Sequence, residues 1–167
     1  IQKIGLALAE FYINAIIVVG TNVVVGGFFD NVSGYKRGNL AAISESGEVV
    51  PWNDIGTDNE VRSLAANGET VFVGGQFTRI GNQSRLYLAA VALSDGSLLP
   101  WNADGAFMQP KSNGYTTVFA LAVADNILYV GGIFDLVADD RHSLFALSTA
   151  DATLQSWAPR IPATSRY

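Results

Sequence analysis

The sequence predicts an all-β fold, and three observations support this prediction. The 167-residue chain is 49% hydrophobic and only 15% charged, and its 17 glycines exceed the average share of this turn-forming residue. A pair of adjacent glycines occurs three times inside short apolar runs. Asn67-Gly68 and Asp95-Gly96 lie between apolar runs, which is typical of β-hairpin turns whose central residues need positive φ. The length fits one ordinary domain.

The three glycine pairs belong to a longer repeat, whose first glycines are 48 and 57 residues apart. The aligned segments are Val23-Val-Val-Gly-Gly-Phe-Phe-Asp30, Val71-Phe-Val-Gly-Gly-Gln-Phe-Thr78 and Leu128-Tyr-Val-Gly-Gly-Ile-Phe-Asp135. After each segment come a loop ending in arginine, an apolar run, a turn and a tryptophan. The recurring residues are Gly26, Gly27, Gly74, Gly75, Gly131 and Gly132; Arg37, Arg85 and Arg141; and Trp52, Trp101 and Trp157. Such internal repetition indicates a repeat architecture.

Each repeat unit predicts four short strands. In the middle unit these are Val61–Ala66, Val71–Phe77, Leu86–Leu93 and Leu98–Trp101. Four antiparallel strands repeated at this spacing are typical of a propeller blade, because one blade cannot cover both faces of its own sheet and must stack on its neighbours. The sequence therefore predicts a β-propeller of four-stranded antiparallel blades, about three of them in this chain. The predicted boundaries are 13–57, 58–105 and 106–161 for the blades, with 1–12 unassigned and 162–167 as a tail.

The glycine pairs and tryptophans have predicted structural roles. Residues without Cβ allow close backbone approach, so we expect each glycine pair where a blade narrows toward a central axis or contacts the next blade. Each tryptophan is expected to fill the space between adjacent sheets.

The combined pattern V-x-V-G-G-x-F, a loop ending in arginine, L-A-A-hydrophobic, a turn and W-N resembles the repeat of secreted and cell-surface bacterial β-propellers, similar to kelch-like and delta-60 repeat proteins. The resemblance covers about residues 13–161. The third unit departs from the pattern where Ala158-Pro159 follows Trp157 in place of Asn, and where Phe145 stands in place of Ala. The resemblance implies a propeller in an extracellular or cell-surface setting, and it implies no single reaction.

Three blades are too few for a closed ring, because propellers typically hold about four to eight. Three arrangements are open: further blades of a longer chain, two copies closing a six-bladed ring, or copies added end to end through exposed strand edges. We expect a fragment of a longer propeller or a homo-oligomer.

Composition excludes several function classes. The net charge is −5 and the ten Lys and Arg residues are scattered, so a nucleic-acid partner is not expected. The absence of cysteine and the single histidine, His142, exclude disulfides, thiolate zinc sites and multi-histidine metal sites. Polar residues interrupt the apolar stretch Ile1–Val25, so it predicts neither a membrane span nor a signal peptide. Phosphate-binding glycine loops and the G-x-S-x-G nucleophile motif are also absent.

The longer loops are expected on one face of the stacked blades, which is where repeat proteins often bind ligands. Arg37, Arg85 and Arg141 are candidate anion-binding residues there, with hydrogen bonding to loop carbonyls or acidic neighbours as the structural alternative. Asp54 and Asp58, close to Glu60, are candidate ligand-binding residues, with calcium as an alternative to a solvated turn. No other cofactor and no catalytic residue is predicted. Three aromatic residues are candidates for stacking on sugars or polymer, with packing in the core or at an interface as the favoured alternative: Tyr35, Phe107 and Tyr115.

The leading hypothesis is a non-catalytic extracellular module that acts as a binding or assembly scaffold for a polysaccharide or a surface protein. One alternative is a fragment of a carbohydrate-active or lyase-type enzyme. Glycoside chemistry would require paired carboxylates about 5 to 9.5 Å apart. A second alternative is a filament subunit joined by edge-strand pairing. The candidate carboxylates are Asp54, Asp58, Asp104 and Asp135.

Overall fold

A computed structural model describes residues 11–53, 55–107, 116–135, 142–157 and 159. Over these residues the regular structure is antiparallel strand, apart from one 3-10 turn at Asp104–Ala106. This confirms the predicted all-β fold. No helix in the described part of the chain is long and apolar enough to cross a bilayer.

The strands form three three-stranded sheets, one for each repeat unit, and in each sheet the strand carrying the glycine pair lies in the middle. Sheet 1 contains β1 (Tyr12–Val19), β2 (Asn22–Phe28) and β5 (Leu40–Ser44). Sheet 2 contains β6 (Val61–Asn67), β7 (Thr70–Gly75) and β10 (Leu88–Ala92). Sheet 3 contains β11 (Thr117–Ala124), β12 (Ile127–Asp135) and β13 (His142–Ser148).

The predicted loop between the second and third strands folds into a small hairpin in the first two units. These hairpins pair β3 (Asn31–Val32) with β4 (Tyr35–Lys36), and β8 (Arg79–Ile80) with β9 (Gln83–Ser84).

The prediction of a fourth strand in each unit is wrong. In its place a single bridged pair continues each sheet, and these pairs are Ile43–Val49, Val91–Leu98 and Leu147–Leu154. In the first two units Pro51 and Pro100 follow the bridge closely. The amides of Val50 and Leu99 donate to the third strand, so the proline nitrogens face the outer edge, a position where proline is tolerated in a sheet.

The second glycine of each pair is required by its own sheet. The first strand of every sheet shifts register by one residue at the same repeat position, at Asn14, Arg62 and Phe119. At this β-bulge the carbonyl oxygen of the residue two positions before the bulged residue lies close to the middle strand. A Cβ on Gly75 would overlap the carbonyl oxygen of Glu60, and Gly27 and Gly132 face the same obstacle.

The first glycine of the pair is required by the next sheet in units 1 and 2. A Cβ on Gly26 would overlap the side chain of Val61 on β6, and one on Gly74 would lie 2.6 Å from Val118 Cγ1 on β11. Accordingly, β6 packs against β1 and β2, and β11 packs against β6 and β7. The three sheets therefore form a stack in which the space over Gly26 and the space over Gly74, here called glycine hollows, each receive an aliphatic side chain from the next sheet.

The tryptophans connect the same neighbours farther along the sheets. The Trp52 indole donates a hydrogen bond to the carbonyl of Leu93 in unit 2 (2.8 Å), and the Trp101 indole donates to the carbonyl of Ser148 in unit 3 (3.1 Å). Trp52 is 4% exposed and Trp101 is 6% exposed. Their apolar surroundings form two core layers, one between sheets 1 and 2 and one between sheets 2 and 3.

Candidate functional site: the loop edge

The predicted long loops of the first two units lie together along one edge of the stack. We call the two small hairpins and the connecting residues 53–60 and 102–107 the loop edge; Asp54 in the first connection lies outside the described residues. The Thr57 amide donates to the carbonyl of Gly38 (3.0 Å), and Thr57 also bridges to Ile80. The Gly81 amide donates to the Gly56 carbonyl (2.8 Å). The connection between sheets 1 and 2 is therefore held between the two hairpins.

Arg37 and Arg85 make the same pair of hydrogen bonds in their two units. Each donates from Nη1 to the carbonyl of the preceding residue (2.8 Å). Each also donates from Nη2, at 3.3 Å, to a carbonyl before the tryptophan, that of Val50 or Leu99. These contacts join the hairpin to the segment that follows the third strand, so the geometry supports the structural alternative for both arginines. Arg141 lies outside the described residues.

Asp58 holds the second hairpin in place. Its Oδ1 accepts hydrogen bonds from the backbone amides of Thr78 (2.8 Å) and Arg79 (3.0 Å), and its Oδ2 accepts from the Thr78 hydroxyl (2.7 Å). The carboxylate is thus used to fix a turn.

The Glu60 carboxylate lies in the contact between sheets 1 and 2. It is 5% exposed, and its Oε2 accepts from the Tyr12 hydroxyl (3.0 Å) and from Asn14 Nδ2 (3.3 Å). Its Oε1 forms an ion pair with Arg62. Asp58 and Glu60 thus accept hydrogen bonds from different partners, and Asp54, the third acidic residue of the calcium prediction, lies outside the described residues. Across the described residues no group of three acidic or histidine side chains is placed to hold a metal ion.

Asn39, which follows the first hairpin, is a buried residue next to the loop edge that the alignment of the three repeats did not single out. Its backbone is left-handed, with φ of 66°, and its side chain is 8% exposed. Oδ1 accepts from the Phe29 amide (3.0 Å), and Nδ2 donates to the carbonyls of Thr57 (3.0 Å) and Asn59 (3.1 Å). One side chain therefore ties the first hairpin to the connection between sheets.

The second connection is held by an acidic residue and an aromatic cluster. Asp104 Oδ1 accepts from the Leu86 amide (2.6 Å). Phe107 is 2% exposed and meets Tyr87, Phe134 and Phe145 edge-on, with ring centroids 5.5 to 5.8 Å apart. Of the two predicted roles for Phe107, the structure therefore shows core packing. Burial also raises the pKa of the Tyr87 hydroxyl, partly offset by a hydrogen bond with the Thr116 side chain.

Tyr35 is the candidate aromatic residue that remains open to solvent. It lies in β4 and is 58% exposed, with the Arg37 guanidinium carbon 5.9 Å from its ring centroid. Tyr115 lies outside the described residues, as do the side chains of Asp135 and His142.

Comparisons with known proteins give structural neighbours only. No family model and no curated protein matches the chain. The solved structure of the computationally designed Ika8 protein is similar over 85% of this chain, with a TM-score of 0.56 and 16% identity. The computationally designed Ika4 protein is similar over 90% of this chain, with a TM-score of 0.57 and 17% identity. The chain spans 35% of the Ika8 chain and 74% of the Ika4 chain, and the likeness concerns the fold alone.

Proposed function

We propose that this chain is an arc of a β-propeller that acts as a non-catalytic binding and assembly scaffold in an extracellular or cell-surface setting. The observation that carries the proposal is the use of polar side chains at the loop edge. The candidate groups Arg37, Arg85 and Asp58 each hydrogen bond to backbone of the loops or adjoining segments. These bonds build a rigid platform on the stacked sheets.

The stacking supports a propeller arc. First strands lie close to one another along the stack, since β6 contacts both β1 and β11. Glycine hollows allow this close approach, whereas an indole fills the space between units near the third strands, as the Trp52 contact with Leu93 illustrates. Wedge-shaped units of this kind are what a propeller requires.

The hydrogen bonds of the carboxylates favour a scaffold over the alternative of a glycoside-cleaving enzyme. Such an enzyme needs one carboxylic acid to protonate the leaving group and a second carboxylate to attack or to activate water. Asp58 and Asp104 instead accept hydrogen bonds from backbone amides of the adjoining loop. Each therefore has a structural partner that ties it to its own turn.

The proposed ligand class is polysaccharide, and the proposed contact residue is Tyr35. An exposed aromatic ring offers an apolar face to a sugar ring, and its hydroxyl remains available to water or ligand. The two hairpins also carry the exposed amide side chains of Asn31, Asn82 and Gln83. Amide groups both donate and accept hydrogen bonds, which suits sugar hydroxyls.

Affinity electrophoresis in gels containing a neutral or an acidic soluble polysaccharide tests this function. We expect retardation of the wild-type protein and of Tyr35→Phe, which keeps the ring, and weaker retardation of Tyr35→Ala. The same incubations are assayed for new reducing ends and unsaturated sugars. Release of shortened chains would show an enzyme, and equal mobility of all three proteins in every gel would remove the polysaccharide role.

A further inference from the structure

The stack ends in two apolar faces that correspond to its own internal contacts. Among the described residues of the three large sheets, the exposed large hydrophobic side chains belong to sheet 1 or sheet 3, and sheet 2, which has a neighbour on each side, has none. We call the outer face of sheet 1 the head face and the outer face of sheet 3 the tail face. On the head face these side chains are Ile13, Ile16 and Val18, which are 53%, 65% and 74% exposed.

The head face carries the side chains that fill glycine hollows elsewhere in the stack. Ile13 occupies the repeat position of Val61 and Val118, both of which are fully buried against the first glycine of the preceding sheet. Ile16 occupies the position of Leu64, which is 6% exposed. Within the described part of the chain, sheet 1 therefore presents the same pair of aliphatic residues without a preceding sheet, beside Val25 and Ala41, which are buried on the same face.

The tail face carries the matching hollow. Gly131 occupies the repeat position of Gly26 and Gly74, but a Cβ on Gly131 would have Ala120 Cβ, at 3.6 Å, as its nearest neighbour. This is an ordinary contact within the same sheet, whereas the hollows at Gly26 and Gly74 are filled by side chains from the next sheet.

The turns show a second contact of this kind, in which the tryptophan of one unit packs on a turn glycine of the next unit. A Cβ on Gly96, in the turn of unit 2, would lie 2.8 Å from the indole ring of Trp52 in the preceding unit. The corresponding turn of unit 1 contains Gly47, which has nothing within 4 Å. On the tail face Trp157 is 40% exposed, compared with 4% for Trp52, and it packs edge-on against Tyr129.

We propose that the head face of one copy of this chain binds the tail face of a second copy. Ile13 and Ile16 of one copy fill the hollow at Gly131 of the other, and Trp157 of that other copy packs over the turn at Gly47. The contact is heterologous, joining two different surfaces, so copies joined this way form a ring if the rotation closes and a filament if it does not. The proposal goes beyond the loop edge, because neither face includes Tyr35 or the two hairpins.

Light scattering coupled to size-exclusion chromatography, over a concentration series, tests this contact. We expect the wild-type protein to have at least twice the 17.7 kDa mass of one chain. Ile16→Glu places a charge on the head face, and Gly131→Val adds a branched side chain to the tail hollow, where its Cβ makes an ordinary contact at 3.6 Å within its own sheet. Each variant alone is expected to be a monomer with the circular dichroism spectrum of the wild type.

Matched controls separate the contact from general effects of the substitutions. Gln83→Glu adds the same charge on an exposed hairpin, and Gly105→Val adds the same side chain where nothing lies within 4 Å of the Cβ position. Both are expected to assemble like the wild type.

Mixing the two interface variants tests the head-to-tail geometry itself. Ile16→Glu keeps an intact tail and Gly131→Val keeps an intact head, so an equimolar mixture is expected to form a dimer through one intact contact. A wild-type protein that is monomeric at every concentration would overturn the proposal. So would a mixture that stays monomeric while the wild type assembles. If a monomeric wild-type protein is still retarded in the polysaccharide gels, the proposed function stands and only the head-to-tail contact is refuted.

Discussion

Gly74 on β7 and Val118 on β11 define the spacing between the second and third sheets. A methyl group added to Gly74 would lie 2.6 Å from Val118 Cγ1 and 3.2 Å from Leu121 Cδ1. Val118 is fully buried in this contact. Because Gly26 and Val61 stand in the same relationship one unit earlier, the contact is a repeated feature of the stack.

Gly74→Ala is expected to destabilise the fold, and Gly131→Ala is not. The added methyl at Gly74 must displace a buried valine on the next sheet, and overpacking of this kind costs about 1–3 kcal/mol. At Gly131 the same methyl makes an ordinary contact at 3.6 Å. The measurement is the free energy of unfolding in urea, with the variants kept monomeric by Ile16→Glu. Equal losses at the two glycines would contradict the stacking.

Trp101→Ala is expected to cost more stability than Trp157→Ala. Trp101 is 6% exposed, packs on Phe72 and donates a hydrogen bond across the sheet contact, so its loss should cost about 3–5 kcal/mol. Trp157 is 40% exposed, and its truncation in the same monomeric background should cost about 1–2 kcal/mol. Urea unfolding compares the two, and a larger loss at Trp157 would refute the assignment of Trp101 to the core layer.

Asn39→Ala is expected to loosen the loop edge. The substitution removes three hydrogen bonds and leaves a left-handed backbone to a residue that disfavours it, which together cost about 2–4 kcal/mol. Amide hydrogen exchange should accelerate most at Phe29, whose amide loses its side-chain acceptor. Asn31→Ala, on an exposed hairpin position, is the control and should leave exchange at Phe29 unchanged.

Acid pH is expected to weaken the turns at Asp95 and Asp151. The backbone amide of Ser97 holds the pKa of Asp95 below its ordinary value of 3.8, and hydrogen bonds from Ser148 and Thr153 do the same for Asp151. A carboxylate with a lowered folded-state pKa contributes stability above its unfolded pKa and loses it as pH falls through the folded pKa. Wild-type stability should therefore fall in the range below about pH 4.

The double variant Asp95→Asn, Asp151→Asn isolates this titration. An asparagine Oδ1 still accepts the backbone hydrogen bond but carries no titrating proton. Urea midpoints measured across acid pH should fall more steeply for the wild type than for the variant. Parallel curves would show that these two turns do not contribute to the acid response.

The self-alignment of the sequence predicted the repeated sheets well because apolar strands and glycine pairs are local patterns. It did not separate the roles of Gly74 and Gly75, because the two residues always occur together. Only the structure shows that one faces the next sheet and the other faces a bulge. The predicted fourth strand was wrong because the segment after the turn pairs with the third strand at one position only, and an apolar run does not reveal how far pairing extends.

The loop edge was harder to predict because its contacts join residues from different units. Asn39 shares its left-handed conformation with Tyr87 and Ser143, at φ of 66°, 63° and 74°, but the three residue types differ. Because the residue types differ, the sequence does not reveal that this left-handed conformation is repeated. The recurrence of arginine was visible, yet the sequence alone left its two roles open, since an anion and a backbone carbonyl are both acceptors for a guanidinium group.

The most direct test of the stacked arrangement is a nuclear Overhauser measurement on methyl-labelled protein in the monomeric Ile16→Glu background. The account predicts strong cross peaks from the Hα protons of Gly26 to the Val61 methyls and from those of Gly74 to the Val118 methyls. Absence of both, with cross peaks from Gly27 and Gly75 to those methyls instead, would contradict it.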